Sequence, residues 1–271
     1  MTQKVQDIEH ESSYIKAYED VELLKHDILR PVRIELEVLK PEIYLRHFGI
    51  TETIVCFGSA RVREDKQTRA QIATIEKQLA KNPKNKTLKK ELEALKGRLK
   101  ISRYYDEARK FGKLVVKHAG DRFAIVTGGG PGLMEAANRG AFENGGRSIG
   151  MNITLPHEQH PNPYISHNLA FLFHYFAMRK LHLVMRAQAV VVFPGGFGTF
   201  DELFEIITLI QTGKKSKIPV ILVGKTFWNE VVNIQALVSY GVIDQQDADS
   251  LTFVDSATEA WAAIAKFYKI K

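Results

Sequence analysis

The chain has 271 residues, 45% of them hydrophobic, enough for one large domain or a domain with additions. One cysteine, Cys56, leaves no intrachain disulfide, and no apolar run approaches the roughly 18 residues of a membrane span. The net charge of +7 raises nucleic acid as a partner, but 13 Lys/Arg and 5 Asp/Glu fall between Arg61 and Lys100, so that stretch carries +8 and leaves −1 elsewhere.

Met1–Tyr14 is polar and mixed in charge, without the apolar core of a signal peptide, and the cytoplasm is the expected compartment. Residues 14–48 read as helical. Pro31 suits a first helical turn, and Val32, Leu36 and Leu39 form an apolar stripe that is expected to end at Pro41. Residues 1–49 are therefore an expected helical extension packed on a body spanning 50–271. Glu52–Phe57 is the first strand and holds Cys56, read as a buried, inert thiol. The turn Gly58-Ser59-Ala60-Arg61 follows, where open α/β sheets bind ligands. Ser59 either donates to a phosphate or caps the next helix; its position does not choose between them.

Lys66–Lys100, within an insertion at about 64–101, reads as a helical hairpin. Its stripes are Ile72, Ile75, Leu79 and Leu88, Leu92, Leu95, Leu99, joined at Asn82-Pro83-Lys84-Asn85. A charged, solvated arm or oligomer contact is favoured over an RNA surface, because no aromatic residue interrupts the basic run. Ser102–His118 is a helix and Phe123–Thr127 a strand. Gly128–Gly132 then leads into a helix over Leu133–Glu143, a strand–glycine–helix unit that offers backbone N–H groups to an anion. Ser148–Ile153 is a strand. In the Leu155–Tyr164 loop, His157 and His160 lack the accompanying ligands of a zinc site, so no metal is expected. Asn168–Leu172 is an edge strand and His174–Arg186 a helix carrying Met178-Arg179-Lys180. By spacing alone, Arg179 and Lys180 read more readily as a surface basic pair than as groups reaching into a cleft.

Ala189–Phe193 is a buried parallel strand running into Pro194-Gly195-Gly196-Phe197-Gly198-Thr199 and an amphipathic helix with Phe200, Leu203, Phe204, Ile207 and Ile210 on one face. Glu202 is placed in its first turn, beside the anion site. The pattern lacks the Gly-Lys-Ser/Thr ending of a P-loop and the spaced glycines of a dinucleotide fingerprint. Ile218–Val223 is a strand, Trp228–Val238 a helix, Leu251–Val254 a strand, and the capping box Ser256–Glu259 opens a helix over Ala257–Tyr268. Alternating strands and helices predict an α/β fold, an open parallel sheet with helices on both faces.

The ordered motifs Phe57-Gly58-Ser59, Thr127-Gly128-Gly129-Gly130-Pro131-Gly132-Leu133-Met134-Glu135, Met178-Arg179-Lys180 and Pro194–Glu202 resemble the LONELY GUY (LOG) phosphoribohydrolases over about residues 50–268. That family is often mislabelled as lysine decarboxylases. The N-terminal helices and basic hairpin look like its longer bacterial type. The resemblance implies a Rossmann-like fold and hydrolysis of the N-glycosidic bond of nucleoside 5′-monophosphates, cytokinin riboside monophosphates or AMP, to base and ribose 5-phosphate. It implies Arg179 and Glu202 as the catalytic pair. Gly195, Gly196, Gly198 and Thr199 would bind phosphate with help from the turn containing Gly129 and Gly130. Ser59, Glu158, Met178, Lys180 and Asp201 match nucleotide-contacting positions. It further implies no cofactor, a small-molecule nucleotide as partner and a homodimer or larger homo-oligomer. A pyridoxal-dependent decarboxylase would need a cofactor phosphate site and an acidic ring partner, which the sequence does not call for.

Overall fold

A computed structural model describes residues 11–155 and 160–270. In chain order these form α1 (Val21–Lys25), α2 (Arg30–His47), β1 (Thr53–Phe57), α3 (Asp65–Lys81), α4 (Lys86–Leu99), α5 (Arg103–Ala119), β2 (Ala124–Thr127) and α6 (Leu133–Phe142). Then follow β3 (Ser148–Ile153), β4 (Ala170–Phe173), α7 (Phe176–Met185), β5 (Ala187–Val192), α8 (Phe197–Gln211), β6 (Val220–Val223), α9 (Lys225–Val231), α10 (Ile234–Ser239), α11 (Gln245–Asp249), β7 (Leu251–Val254) and α12 (Ala257–Tyr268).

The strands form one sheet in the order β4-β3-β2-β1-β5-β6-β7, every neighbouring pair parallel. The α/β open parallel sheet expected from the alternation is the observed fold. Successive strand residues point to opposite faces, so β1 alone feeds two cores. Ile54 and Cys56 pack beneath α5, α6 and α12, while Val55 and Phe57 pack beneath α2, α7, α8 and α9. Burial pushes the Cys56 thiol far above its usual range, which leaves it inert. From β1 the chain winds outward to β4, then returns to place β5 on the other side of β1. The crevice at such a reversal, above the carboxyl ends of the two strands, is where an open α/β sheet receives a ligand. The two lips are tied directly: Ser59 N–H donates to Pro194 O at 3.0 Å, and Phe193 N–H to Phe57 O at 2.9 Å.

Two expectations about α2 are corrected. Pro41 does not end the helix, which runs on to His47 with Pro41 inside it. A proline removes one helical donor and leaves the carbonyl four residues earlier without its partner. Here that carbonyl, Glu37 O, accepts from His182 Nε2 at 3.0 Å, so the break costs no hydrogen bond. The stripe Val32, Leu36 and Leu39 faces outward, while Pro41 and Leu45 are buried.

The hairpin is present as α3 and α4, packed through buried Ile75 and Leu95. The single helix expected over Trp228–Val238 is two, because Val232 is extended and the Asn233 side chain caps a new start at Ala236 N–H. The short α11, opened by an Asp244–Asp247 capping box, was absent from the sequence reading. Among the described residues no helix is long and apolar enough to cross a membrane.

Candidate functional site

A cleft of about 1060 Å³ lies at the β1–β5 reversal. Its walls come from the Gly58–Val62 turn, the Gly195–Phe200 elbow and α9, with Arg179 and Glu202 among the lining groups. The elbow is built so that one glycine packs inward and two face out. A Cβ on Gly195 would run into the Thr199 side chain, whereas at Gly196 and Gly198 it would meet nothing within 4 Å. That open space borders the first N–H groups of α8, which have no intrahelical acceptor and sit at the positive end of the helix dipole. Only the later Thr199 and Phe200 N–H groups are taken, both by Gly196 O, at 2.9 and 3.0 Å.

Because α8 begins at Phe197, Glu202 belongs to its second turn, not its first. The helical spacing puts it on the buried face with Thr199, Leu203 and Ile206, at 3% exposure. A buried carboxylate needs a partner, and Arg179 Nη2 donates to Glu202 Oε1 at 2.7 Å. Burial pushes the Glu202 carboxyl above the ordinary glutamate range, while Arg179 and, less closely, Lys180 pull it back toward the ionised form. Arg179 rests over the Phe176 ring at 5.1 Å. Its Nε is buried with no hydrogen-bond partner.

Of the residues singled out from the sequence, Ser59, Arg179, Gly195, Gly196, Gly198, Thr199 and Glu202 line this cleft. The Ser59 hydroxyl accepts Arg61 N–H at 3.1 Å within the turn and does not cap α3, which starts only at Asp65. Lys180 does not line the cleft. It pairs with Asp201 at 2.7 Å and Glu205 at 3.3 Å. Burial works to lower its ammonium pKa, and the two carboxylates outweigh that and hold it raised. Met178 packs against the core, and Gly129 and Gly130 are buried and do not line the cleft, although Gly128 of the same turn does. Glu158 and His157 lie outside the described residues.

Sequence reasoning missed Arg98, Met134, Phe227 and Val231, all of which line the cleft, and gave Arg61 no role. Arg98 ends the hairpin, so the expected outlying arm returns to the cleft mouth. Its only sequence signal was the basic run, which points nowhere. Among the described residues, neither Arg61 nor Arg98 has a carboxylate within ion-pair distance, and no group of His, Cys, Asp and Glu is arranged to hold a metal.

A family described as possible lysine decarboxylase matches residues 134–264. The rice (Oryza sativa subsp. japonica) cytokinin riboside 5′-monophosphate phosphoribohydrolase LOG is 30% identical over 60% of this chain and 65% of its own length. The Arabidopsis thaliana protein of the same description, LOG2, is 28% identical over 42% of this chain and 52% of its own. The resemblance to the LOG family is shown. The alignment spans roughly half to two-thirds of these LOG proteins' own lengths. A structural-genomics X-ray structure, TM1055, covers 79% of this chain and 99% of that chain at 22% identity, with a TM-score of 0.49.

Proposed function

We propose that this chain hydrolyses the N-glycosidic bond of nucleoside 5′-monophosphates, cytokinin riboside monophosphate or AMP, to free base and ribose 5-phosphate. The observation that carries the reading is the buried Arg179–Glu202 pair opening on a cleft beside an unfilled glycine elbow. The names of the LOG relatives supply the substrate class.

In this reading the 5′-phosphate sits at the start of α8, on the free N–H groups of the elbow. Arg61 and Arg98 supply compensating charge. Anchoring this non-reacting end fixes the ribose over Glu202. As the C1′–N bond breaks, positive charge grows on the ribose, as in glycoside cleavage. The Glu202 carboxylate stabilises that charge and orients water, whose oxygen bonds to C1′; a water proton neutralises the departing base. Arg179 favours the ionised form of Glu202 against the effect of its burial. A Schiff-base role for Lys180 is disfavoured: its amine is paired with two carboxylates, and Lys180 is not among the groups that line the cleft.

Residues 50–271 form the catalytic body in this proposal, with the hairpin inserted and the N-terminal helices added. The acting form is a homodimer or larger homo-oligomer, a reading supported by the outward apolar line Val32, Leu36, Leu39 and Ile43 on α2.

The test is base release from a panel of monophosphates, followed by chromatography. AMP or isopentenyladenosine monophosphate should yield free base and ribose 5-phosphate, and Glu202→Gln should abolish turnover while the protein still folds. Calorimetric binding of AMP with no base release from any of the panel would assign a nucleotide-binding module instead.

A further inference from the structure

Helix α7 carries Arg179, yet only His182 and Leu183 of its residues are buried. A helix so lightly seated on the sheet needs another tether to hold a guanidinium against Glu202. Helix α2 supplies one at three levels. At the start of α7, the Glu37 carboxylate accepts His174 N–H at 2.7 Å and Tyr175 N–H at 3.2 Å. It satisfies N–H groups leading into the helix and places a negative charge at its positive end, the work of an N-cap done by a residue from elsewhere in the chain. In the middle, the His182 imidazole donates from Nε2 to Glu37 O, the acceptor that Pro41 leaves free. At the far end, both oxygens of Glu42 grip the Arg186 guanidinium, with Nη2 to Oε2 at 2.7 Å, and Arg186 Nε donates to Ile50 O at 3.1 Å. Arg33 adds a link from Nε to the Tyr175 hydroxyl at 3.4 Å.

These contacts are polar and directional. They fix the register of α7 along α2, which apolar packing alone leaves free to slide. Pro41 belongs to the same device: an ordinary residue there would donate its own N–H to Glu37 O and compete with His182.

We infer that α2 is a positioning element for Arg179, with Glu37, His182 and Glu42 as positioning residues that set where the guanidinium meets Glu202. The inference rests on the reading in which Arg179 acts on the nucleotide. Its reach is to the N-terminal helices, which would then be required for turnover though none of their residues lines the cleft.

The test uses the full chain and two readouts. The first is steady-state base release from AMP, normalised to folded protein. The second is the nitrogen-15 NMR signal of the Arg179 Nε–H, assigned with Arg179→Lys, which needs no turnover. Glu37→Ala is expected to lower kcat tenfold or more with KM within about twofold, and to move the Arg179 signal. His182→Leu should behave alike, and His182→Gln, which keeps a side-chain N–H for Glu37 O, should recover most of the rate. Wild-type kcat and an unmoved signal in Glu37→Ala and His182→Leu would overturn the inference. So would rates that fall only in step with the folded fraction, which would make α2 a stabilising element alone. A wild-type protein that releases no base, but whose Arg179 signal moves in Glu37→Ala, would remove the hydrolase reading and leave the positioning role intact.

Discussion

The two strand–glycine–helix elbows, Gly128–Gly132 after β2 and Pro194–Gly198 after β5, start from nearly the same sequence logic and end as different objects. The first is occupied by the chain itself. Asn162 Nδ2 donates to Gly129 O at 3.2 Å and Gly130 O at 3.1 Å, and Gly129 N–H is taken by Thr127 Oγ1 at 2.9 Å. Gly129 has φ +71° and abuts the Asn152 carboxamide; Gly132 has φ +77° and lies against the Ser59 and Ala60 backbone. Only glycine tolerates both the left-handed backbone and the crowding. The second elbow has Gly196 and Gly198 turned to empty space at the cleft wall. A glycine turn is a potential anion cradle until its neighbours are known; here Gly129 and Gly130 are used to join loops and only Gly128 reaches the cleft wall, while the second elbow is left open to it.

Alanine at matched positions separates the two most sharply. Gly198→Ala meets no atom and improves helix propensity by up to about 1 kcal/mol, so its melting temperature should hold or rise. Its methyl group enters the proposed phosphate space, and turnover should fall about a hundredfold. Gly129→Ala should do the reverse, losing stability by thermal melting while the surviving folded fraction keeps its rate. A Gly198→Ala enzyme with normal turnover would erase the distinction.

The filled elbow is probed next by Asn162→Ala. Its side chain also reaches Asn138 Oδ1 at 2.9 Å, but Gly129 O keeps the Asn162 backbone N–H and Asn138 Oδ1 keeps the Thr127 hydroxyl, so the change leaves Gly130 O and the Tyr164 N–H as the groups without partners. Each group left unpaired costs about 1–3 kcal/mol, and chemical denaturation should register a loss of at least that size.

The open elbow gives a pH signature. The proposed hydrolysis needs ionised Glu202, whose carboxyl burial has raised. Rate should therefore fall as pH drops through a value above the ordinary glutamate range. Arg179→Gln removes the main group that lowers that value, so the acid limb of its residual activity should move to higher pH. Lys180→Gln should move it less in the same direction. A limb unmoved in Arg179→Gln would mean that Glu202 is not the titrating group.

The smallest effect is expected at the rim. Arg98→Ala should raise KM for AMP about fivefold, as befits roughly 1 kcal/mol from one half-exposed charge, and should weaken the salt dependence of binding. An unchanged KM would return the hairpin to the surface arm that its sequence describes.

The strands were legible because buried parallel strands are predominantly apolar and end at turn residues: Ser148–Ile153 and Leu251–Val254 were read with the bounds they have, although Ser148, Asn152 and Thr252 interrupt their apolar runs. Helix α12 was legible because its capping box is local chemistry, Ser256 accepting Glu259 N–H while Glu259 returns to Ser256 N–H. Helix α2 was half legible. Its apolar line was visible, but which side turns inward depended on Glu37 and Glu42 finding partners in and beside α7, more than a hundred residues away in sequence. The same distance hid Arg98 and Arg61 as cleft residues and made Arg179 look like a surface cation.

By itself, the sequence determined the strands, most of the helices, their order, and that two glycine elbows would stand at strand ends, because these follow from periodicity, backbone freedom and local caps. Tertiary structure alone decided which elbow stays open, that Glu202 lies a turn deeper than its motif implied, and that Arg179 meets it. Those outcomes depend on burial and on hydrogen-bond partners drawn from distant segments, quantities that no local stretch of chain contains.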